Sequence, residues 1–391
     1  MYSLTREQLL EDLYVAYYDA RRHKRNKPYQ LRFEENLDEN LCCLCDELYN
    51  RTYKPLPSSC FIVTEPKKRE VFAAEFRDRI VHHLYYNYTY KMFERTFITD
   101  TYSCLKGRGT HYGIERLQQH IRKESRNYKV PCYVMKMDIR GYFMNINRRK
   151  LLEISLKSLN KMSYHKVSKH RKERWRDIVD MDFIRWLTVE IVLLNPITDC
   201  VVIGKPEEWD DLPYDKSLYH TPEGCGLPIG NLTSQLFSNV YLNVLDQFMK
   251  RELKCRRYGR YVDDFYVVGT DRVWLLSIIS KIRYFLRVEL GLAFHDGKLK
   301  VTSIWHGTEF LGAWLKPHRI YASRDTVLRI RTKLHALAKS ARSKWYASLN
   351  SYCGVLSHWN NYKLRRSLLL AEPVFTKYGV FNLEYTKYFC S

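Results

Sequence analysis

Along the chain, apolar positions first fall into helix spacing. Leu9, Leu10, Leu13, Ala16 and Tyr17 recur three and four residues apart, and residues 1–50 read as helical. A basic turn from Arg21 to Lys27 leads to Pro28, and a second helix runs through Leu37, Leu41, Leu44 and Leu48 before Pro55 and Pro57 close the segment. The period then changes. Phe61-Ile62-Val63-Thr64-Glu65-Pro66-Lys67-Lys68-Arg69-Glu70-Val71-Phe72 predicts a β-hairpin with three consecutive cations at its tip. Helix follows from Phe76 to about Phe93. A glycine-spaced basic loop, Tyr102 to His111, then opens onto a helix from Ile114. Val130 to Ile139 predicts a strand with Asp138 near its end, continued by Arg140-Gly141-Tyr142-Phe143, with helix again from near Asn147.

The second half alternates in the same way. Ile178 to Leu194 has the spacing of an amphipathic helix, and Glu207 to Pro213 is an acidic loop. The glycine-rich turn Gly224 to Asn231 delivers the chain into a helix carrying Leu232, Leu236, Val240, Leu242 and Leu245. Arg260-Tyr261-Val262-Asp263-Asp264-Phe265-Tyr266-Val267-Val268-Gly269 reads as strand, tight turn, strand, with two acids at the tip. Val273 to Leu290 is a basic helix. Lys298, Lys300 and Thr302 fall on a strand after Gly297, and Phe310 to Leu315 form one compact apolar strand. From about Asp325 the pattern is helical and cationic, and no internal repeat or low-complexity linker interrupts it.

Three acids stand out against this pattern. Strand alternation sends Asp263 and Asp264 in different directions, so one can bind an ion while the other supports it. Like charges this close are costly without a cation or basic partner. An ordinary acidic turn is the plain alternative, and apolar packing on both sides argues against it. Asp138, an acid in an apolar strand, needs a partner or a metal. Lys68 and Arg69 suit either a solvated turn or a triphosphate clamp. The loop from Tyr102 to His111 can hold phosphate through backbone N–H groups, but lacks the Gly-Lys-Ser/Thr ending of a Walker loop.

Composition narrows the partners. The 391 residues carry 65 Lys+Arg against 43 Asp+Glu, a formal charge of +22, which implies a polyanion and above all nucleic acid. The 31 tyrosines beside basic groups suit base stacking. The strongly basic stretch from Lys157 to Arg176 and the basic C-terminal helices are candidate surfaces for RNA or protein, with steep salt dependence expected. No apolar run approaches a membrane span and the start lacks a signal-peptide core, so a cytoplasmic, membrane-free protein is expected. Eleven cysteines show no metal-finger spacing and read as buried thiols in a reducing cytosol.

In order, the cationic hairpin, the strand-end Asp, the glycine turn into a helix, the Tyr-Val-Asp-Asp hairpin and Phe310-Leu311-Gly312 resemble the reverse transcriptase motif series, over roughly residues 60–315. The resemblance implies an α+β right-hand polymerase fold. An N-terminal helical extension would occupy residues 1–55, fingers and palm (antiparallel sheet plus helices) 56–315, and a helical thumb 316–391. It implies RNA-directed DNA polymerase activity with two Mg2+ ions, for which Mn2+ can substitute. Asp138 and Asp263 would be ligands with the main chain of Ile139, and Asp264 the adjacent third acid. Two such ions sit about 3.5–4 Å apart and stabilise the attacking and leaving oxygens, and hard ions want oxygen ligands. Lys68 and Arg69 would hold the incoming dNTP triphosphate, and the bulk of Phe143 would exclude a ribose 2′-hydroxyl. Lys298, with Lys300 as the alternative, would help protonate pyrophosphate.

Leu227-Pro228-Ile229-Gly230-Asn231-Leu232-Thr233-Ser234-Gln235 departs from most relatives, which carry Gln where Ile229 stands and Pro where Gln235 stands. This departure is similar to reverse transcriptases of diversity-generating retroelements, as are Trp209…Leu212-Pro213, Lys216-Ser217-Leu218 and Ser351-Tyr352-Cys353-Gly354. Such enzymes, bacterial, archaeal or phage-encoded, make adenine-mutagenic cDNA from a template-repeat RNA. They work with a small, basic, oligomeric accessory protein. Ile229, Gly230 and Gln235 would then line the nucleotide site, and an apolar Ile229 discriminates less sharply than an amide. The rivals are a retron, group II-like or phage-defence reverse transcriptase, and a non-catalytic basic RNA-binding scaffold.

Overall fold

The computed structural model describes residues 2–22, 27–65 and 67–390. Part of the basic turn, residues 23–26, and Pro66 of the cationic hairpin lie outside the described residues. In chain order the helices α1 (Arg6–Arg21), α2 (Pro28–Glu34) and α3 (Leu37–Tyr49) precede strands β1 (Ser59–Val63) and β2 (Arg69–Ala73). Then come α4 (Phe76–Glu94), α5 (Thr110–Glu124), β3 (Tyr133–Asp138), α6 (Arg148–Ser163), α7 (Trp175–Ile178), α8 (Met181–Leu193) and β4 (Val201–Val202). They are followed by α9 (Leu232–Gln247), β5 (Tyr258–Tyr261), β6 (Asp264–Gly269), α10 (Arg272–Leu290) and β7 (Lys300–Ser303). The rest comprises β8 (Thr308–Phe310), β9 (Ala313–Lys316), β10 (Arg319–Ala322), α11 (Arg324–Ala338), α12 (Trp345–Ser357), α13 (Tyr362–Leu370), α14 (Pro373–Lys377), β11 (Gly379–Phe381) and β12 (Tyr388–Cys390). Among the described residues no helix is long and apolar enough to cross a membrane.

Two compact units emerge, the first formed by residues 1–105, 138–255 and 279–296. Its centre is α4, against which α1, α6, α8 and α9 pack. A helix buried on so many sides must satisfy every polar group it carries. Tyr53 donates to Asp78 at 2.8 Å, the Tyr85 hydroxyl meets Thr188 at 3.0 Å, and Thr233 meets His82 Nδ1 at 2.8 Å. Beside the helices, β1 and β2 form the expected hairpin, with Ser59 opposite Ala73 and Val63 opposite Arg69. β4, which the sequence pattern did not reveal, joins β1 in parallel. The strand expected to continue through Phe143 stops at Asp138. Gly141 has φ 52°, and Tyr142–Asn145 wind into a 3-10 turn. The single helix read through Leu37 is two helices, α2 and α3.

His82 makes one pH prediction. Burial lowers its pKa from 6.5 to about 4, so the folded chain holds the ring neutral. Below about pH 6.5 the unfolded chain therefore binds one proton more than the folded one, and stability falls as pH drops from there toward 4. The full loss is on the order of 3 kcal/mol. Denaturant titrations at stepped pH should show this slope in the parent and a shallower one in His82→Gln. Equal slopes would remove His82 as the cause.

The second unit comprises residues 106–137, 256–278 and 297–391. Its sheet has the order β5-β6-β3-β7, so strands from three separate stretches lie side by side. β5 and β6 pair antiparallel, as do β3 and β7, and α5 packs against β5 and β6. The strand expected over Phe310–Leu315 is instead a hairpin. Phe310 pairs with Ala313 across Leu311 and Gly312, whose φ values of 51° and 81° are those of a two-residue hairpin turn. Lys298, expected on a strand, lies in a 3-10 turn just before β7. The C-terminal helices close over Leu334, Trp345, Leu349, Leu356, Leu369 and Phe375, and β11 pairs with β12 beside them.

Candidate active site

The tip of the β5–β6 hairpin is a two-residue turn, Val262–Asp263, closed by the pairing of Tyr261 with Asp264. Val262 has φ 54°, where glycine is the usual choice and a β-branched residue is strained. Such strain persists only where the surroundings over-determine it. Here the Arg260 side chain, fully buried, donates from Nη1 to the Val262 carbonyl at 3.0 Å. Asp263 therefore projects from a braced turn, half-exposed, and Asp264 opens β6. Lys136 Nζ stands 3.8 Å from Asp264 Oδ1 and offsets part of the charge the two acids place together.

β3 lies beside β6 in the sheet, and Asp138 is its last residue, only 7 % exposed. The Asp138 carbonyl accepts the His295 N–H at 2.8 Å, and the Ala293 carbonyl accepts the Arg140 N–H at 2.9 Å. These two bonds bracket Ile139, which stands opposite Phe294 in an isolated antiparallel bridge. The sheet order thus makes the strand ending in Asp138 the neighbour of the strand beginning with Asp264. Lys298 is exposed in its turn.

In the first unit, a second constellation surrounds β2. Lys68 is half-buried and donates from Nζ to the Asp210 carbonyl, while Arg69 is exposed. Next to them Glu70 is 1 % exposed. Its carboxylate accepts the Trp209 indole N–H at 2.9 Å, the Ser217 hydroxyl at 3.1 Å and the Leu218 N–H at 2.7 Å. A buried carboxylate held by neutral donors is tolerable only when its acceptor positions are filled. The glycine turn seats on the same strand, where the Phe72 N–H donates to the Ile229 carbonyl at 3.0 Å. Gly230, at φ 133°, permits this approach, because a Cβ there would come within 2.9 Å of the Phe72 carbonyl oxygen. Ile229 packs on Cys60, Phe72, Met144 and Leu218. Phe143 is half-buried, and its carbonyl accepts the Leu227 N–H at 2.8 Å. Gln235 is exposed on the first turn of α9.

Lys68, Phe143, Ile229 and Gly230 are therefore joined, through β2 and the Leu227–Gly230 turn, to the residues around Glu70, Trp209 and Ser217, while Arg69 points to solvent. The loop that carries Trp209 and Ser217 also reaches the turn after Asp138, where Arg140 Nε meets Asp215 Oδ2 at 3.4 Å. Sequence reasoning missed Glu70, Arg260, Lys136 and Asp215. Glu70 carried a usable signal: alternation after an outward Arg69 turns it inward. The other three had none, because their partners are set by tertiary folding.

Residues 67–315 match the family described as reverse transcriptase (RNA-dependent DNA polymerase). The chain belongs to that family. The α+β class and the right-hand polymerase fold expected of a reverse transcriptase hold. Similar solved structures are telomerases. That of Candida tropicalis truncated from its C-terminal domain is 12 % identical over 69 % of this chain and 56 % of that one, with a TM-score of 0.48. Telomerase of Candida albicans with a telomeric RNA fragment is 13 % identical over 84 % and 57 %, also at 0.48. The apo Candida tropicalis enzyme is 12 % identical over 83 % and 58 %, at 0.46. The chain spans just over half the length of these telomerases. A search of curated proteins returned no match.

Reverse transcriptases generally use divalent metal ions, typically Mg2+. Among the described residues no group of three or more His, Cys, Asp or Glu side chains is gathered closely enough to hold an ion. The chemistry of the donors nonetheless fits one. Asp263 and Asp264, together on the braced turn, are oxygen donors of the kind a hard cation takes.

Proposed function

We propose that this reverse transcriptase makes DNA on an RNA template within a diversity-generating retroelement, with frequent misincorporation opposite template adenine. The observation that carries the finer part is the seat of Ile229. An apolar side chain, fixed by a main-chain bond to β2, stands beside the strand that carries Arg69 and in the same turn whose Leu227 N–H meets the Phe143 carbonyl. A hydrogen-bonding amide at that place would reject a mispaired nucleotide more sharply than a branched alkyl group does.

In this reading Asp138, Asp263, Asp264 and the Ile139 carbonyl hold Mg2+, or Mn2+ in its place. Bound there, the ions neutralise the attacking and leaving oxygens. Lys68 and Arg69 bind the triphosphate of the incoming dNTP, Lys68 exchanging the Asp210 carbonyl for a phosphate oxygen. Phe143 occupies the space a 2′-hydroxyl needs. Gly230 and Gln235 border the nascent pair, and Lys298 gives a proton to departing pyrophosphate. Residues 56–315 serve as fingers and palm and 316–391 as thumb. The partners are the template-repeat RNA, the growing cDNA and a small basic accessory protein.

Sequencing of cDNA made on an adenine-containing RNA, with accessory protein present, tests the proposal. The parent should scatter substitutions at template adenines, and Ile229→Gln should reduce them about tenfold. An unchanged spectrum removes the role given to Ile229. Accurate cDNA from the parent would assign the chain to another bacterial class, such as a retron or phage-defence enzyme.

A further inference from the structure

The first unit contains an open groove of about 1060 Å³ that the polymerase reading leaves without a role. One wall is a face of α6, where Lys150, Lys157 and Lys161 follow each other at helical spacing, and Lys166 and Lys169 extend the row into the next loop. The opposite wall is the end of α9 and the chain beyond it, with Arg251, and the last turns of α10. Seven Lys or Arg side chains line the groove against three Glu. Helix geometry places Lys157 and Lys161 about 6 Å apart along the α6 axis.

Nothing inside the protein uses most of this charge. Lys150 has Glu153 at 3.6 Å, but among the described residues Lys157, Lys161, Lys166, Lys169 and Arg251 form no ion pair. The opposite face of α6 is buried through Leu151, Ser155 and Leu159, none of which lines the groove, so the lysines are not needed for folding. The basic loop is held in place as well. Arg95 donates to the Lys166 and Val167 carbonyls at 2.5 and 2.6 Å, and Val167 N–H donates to the Glu173 carbonyl at 3.0 Å. Phe248 and Phe285, stacked at 4.0 Å and 10°, add a half-buried aromatic surface to the lining. A preformed row of unpaired cations beside flat aromatic area has the chemistry of a single-strand binding groove.

We propose that this groove binds a single-stranded segment of RNA by its phosphates. The proposal relies on the polymerase reading only for naming RNA as the polyanion. A basic accessory protein is excluded as occupant by its own charge, and an acidic protein lacks bases for the aromatic surface.

The test compares the full chain with the triple variant Lys157→Gln, Lys161→Gln, Arg251→Gln. Binding of a labelled unstructured RNA oligonucleotide is followed by fluorescence anisotropy across a salt series. Loss of three phosphate contacts should flatten the log–log salt slope by about two and weaken binding roughly tenfold. Melting temperature, and extension of a short pre-annealed primer–template, should match the parent. Parental affinity and slope in the variant would overturn the proposal. So would displacement of the RNA by polyglutamate as readily as by unlabelled RNA, which would mark an acidic-protein surface. If the parent binds RNA in this manner but extends no primer, the polymerase reading fails and the groove stands.

Discussion

Asp263→Asn should lower nucleotide incorporation by about a thousandfold while melting temperature and RNA affinity stay at parental values. Asn keeps the shape of the side chain and removes its charge. Asp263 sits in a turn whose conformation is braced from below by Arg260 and the Val262 carbonyl, so the substitution leaves the hairpin intact. What is lost is a hard anionic ligand. Charge stabilisation at developing phosphate oxygens is worth several kcal/mol, and each 1.4 kcal/mol or so is a factor of ten in rate. Single-turnover extension with circular dichroism on the same samples decides the matter. Activity within a few-fold of the parent would mean that Asp263 is an ordinary turn residue.

Glu70→Ala should act on both stability and nucleotide binding. The substitution leaves the Trp209 indole N–H, the Ser217 hydroxyl and the Leu218 N–H without their shared acceptor in a buried place. Unsatisfied buried donors of this kind cost roughly 3–5 kcal/mol together. The loop they anchor also carries the Asp210 carbonyl that Lys68 meets, and Ile229 packs against the same strand. Loosening it should raise the KM for dNTP about tenfold with a smaller change in kcat, as expected when positioned binding groups lose their frame. Glu70→Gln retains one acceptor oxygen and should fall between. A lowered melting temperature with unchanged KM would leave Glu70 a purely structural residue and separate the insertion from the nucleotide site.

Much of this was legible in the sequence, for identifiable reasons. The acids on the hairpin and strand end stood out because charge in an apolar β pattern is costly and local in sequence. α4, α9 and α10 were readable from periodicity alone, and their bounds hold to within a few residues. The hairpin at Leu311–Gly312 was less readable. Leu311 at positive φ disguised a two-residue turn as continuous strand, whereas the turn at Val262–Asp263 was marked by its two acids despite the positive φ of Val262. Gly141 ended a strand that apolar content would have continued. The stretch from 156 to 222 was hardest, because its order comes from distant partners: β4 pairs with β1, Trp209 and Ser217 with Glu70, and Asp215 with Arg140. No local pattern encodes those. Their consequence is that an acidic loop becomes the fastening between the cationic strand and the turn after Asp138.

Templated DNA synthesis by this chain can be read from primer extension on a defined RNA template. With Mg2+, dNTPs, the cognate RNA and the accessory protein, the parent should lengthen the primer in the order the template dictates, and Asp263→Asn should not. A folded, RNA-binding parent that adds no nucleotide under those conditions would contradict the account.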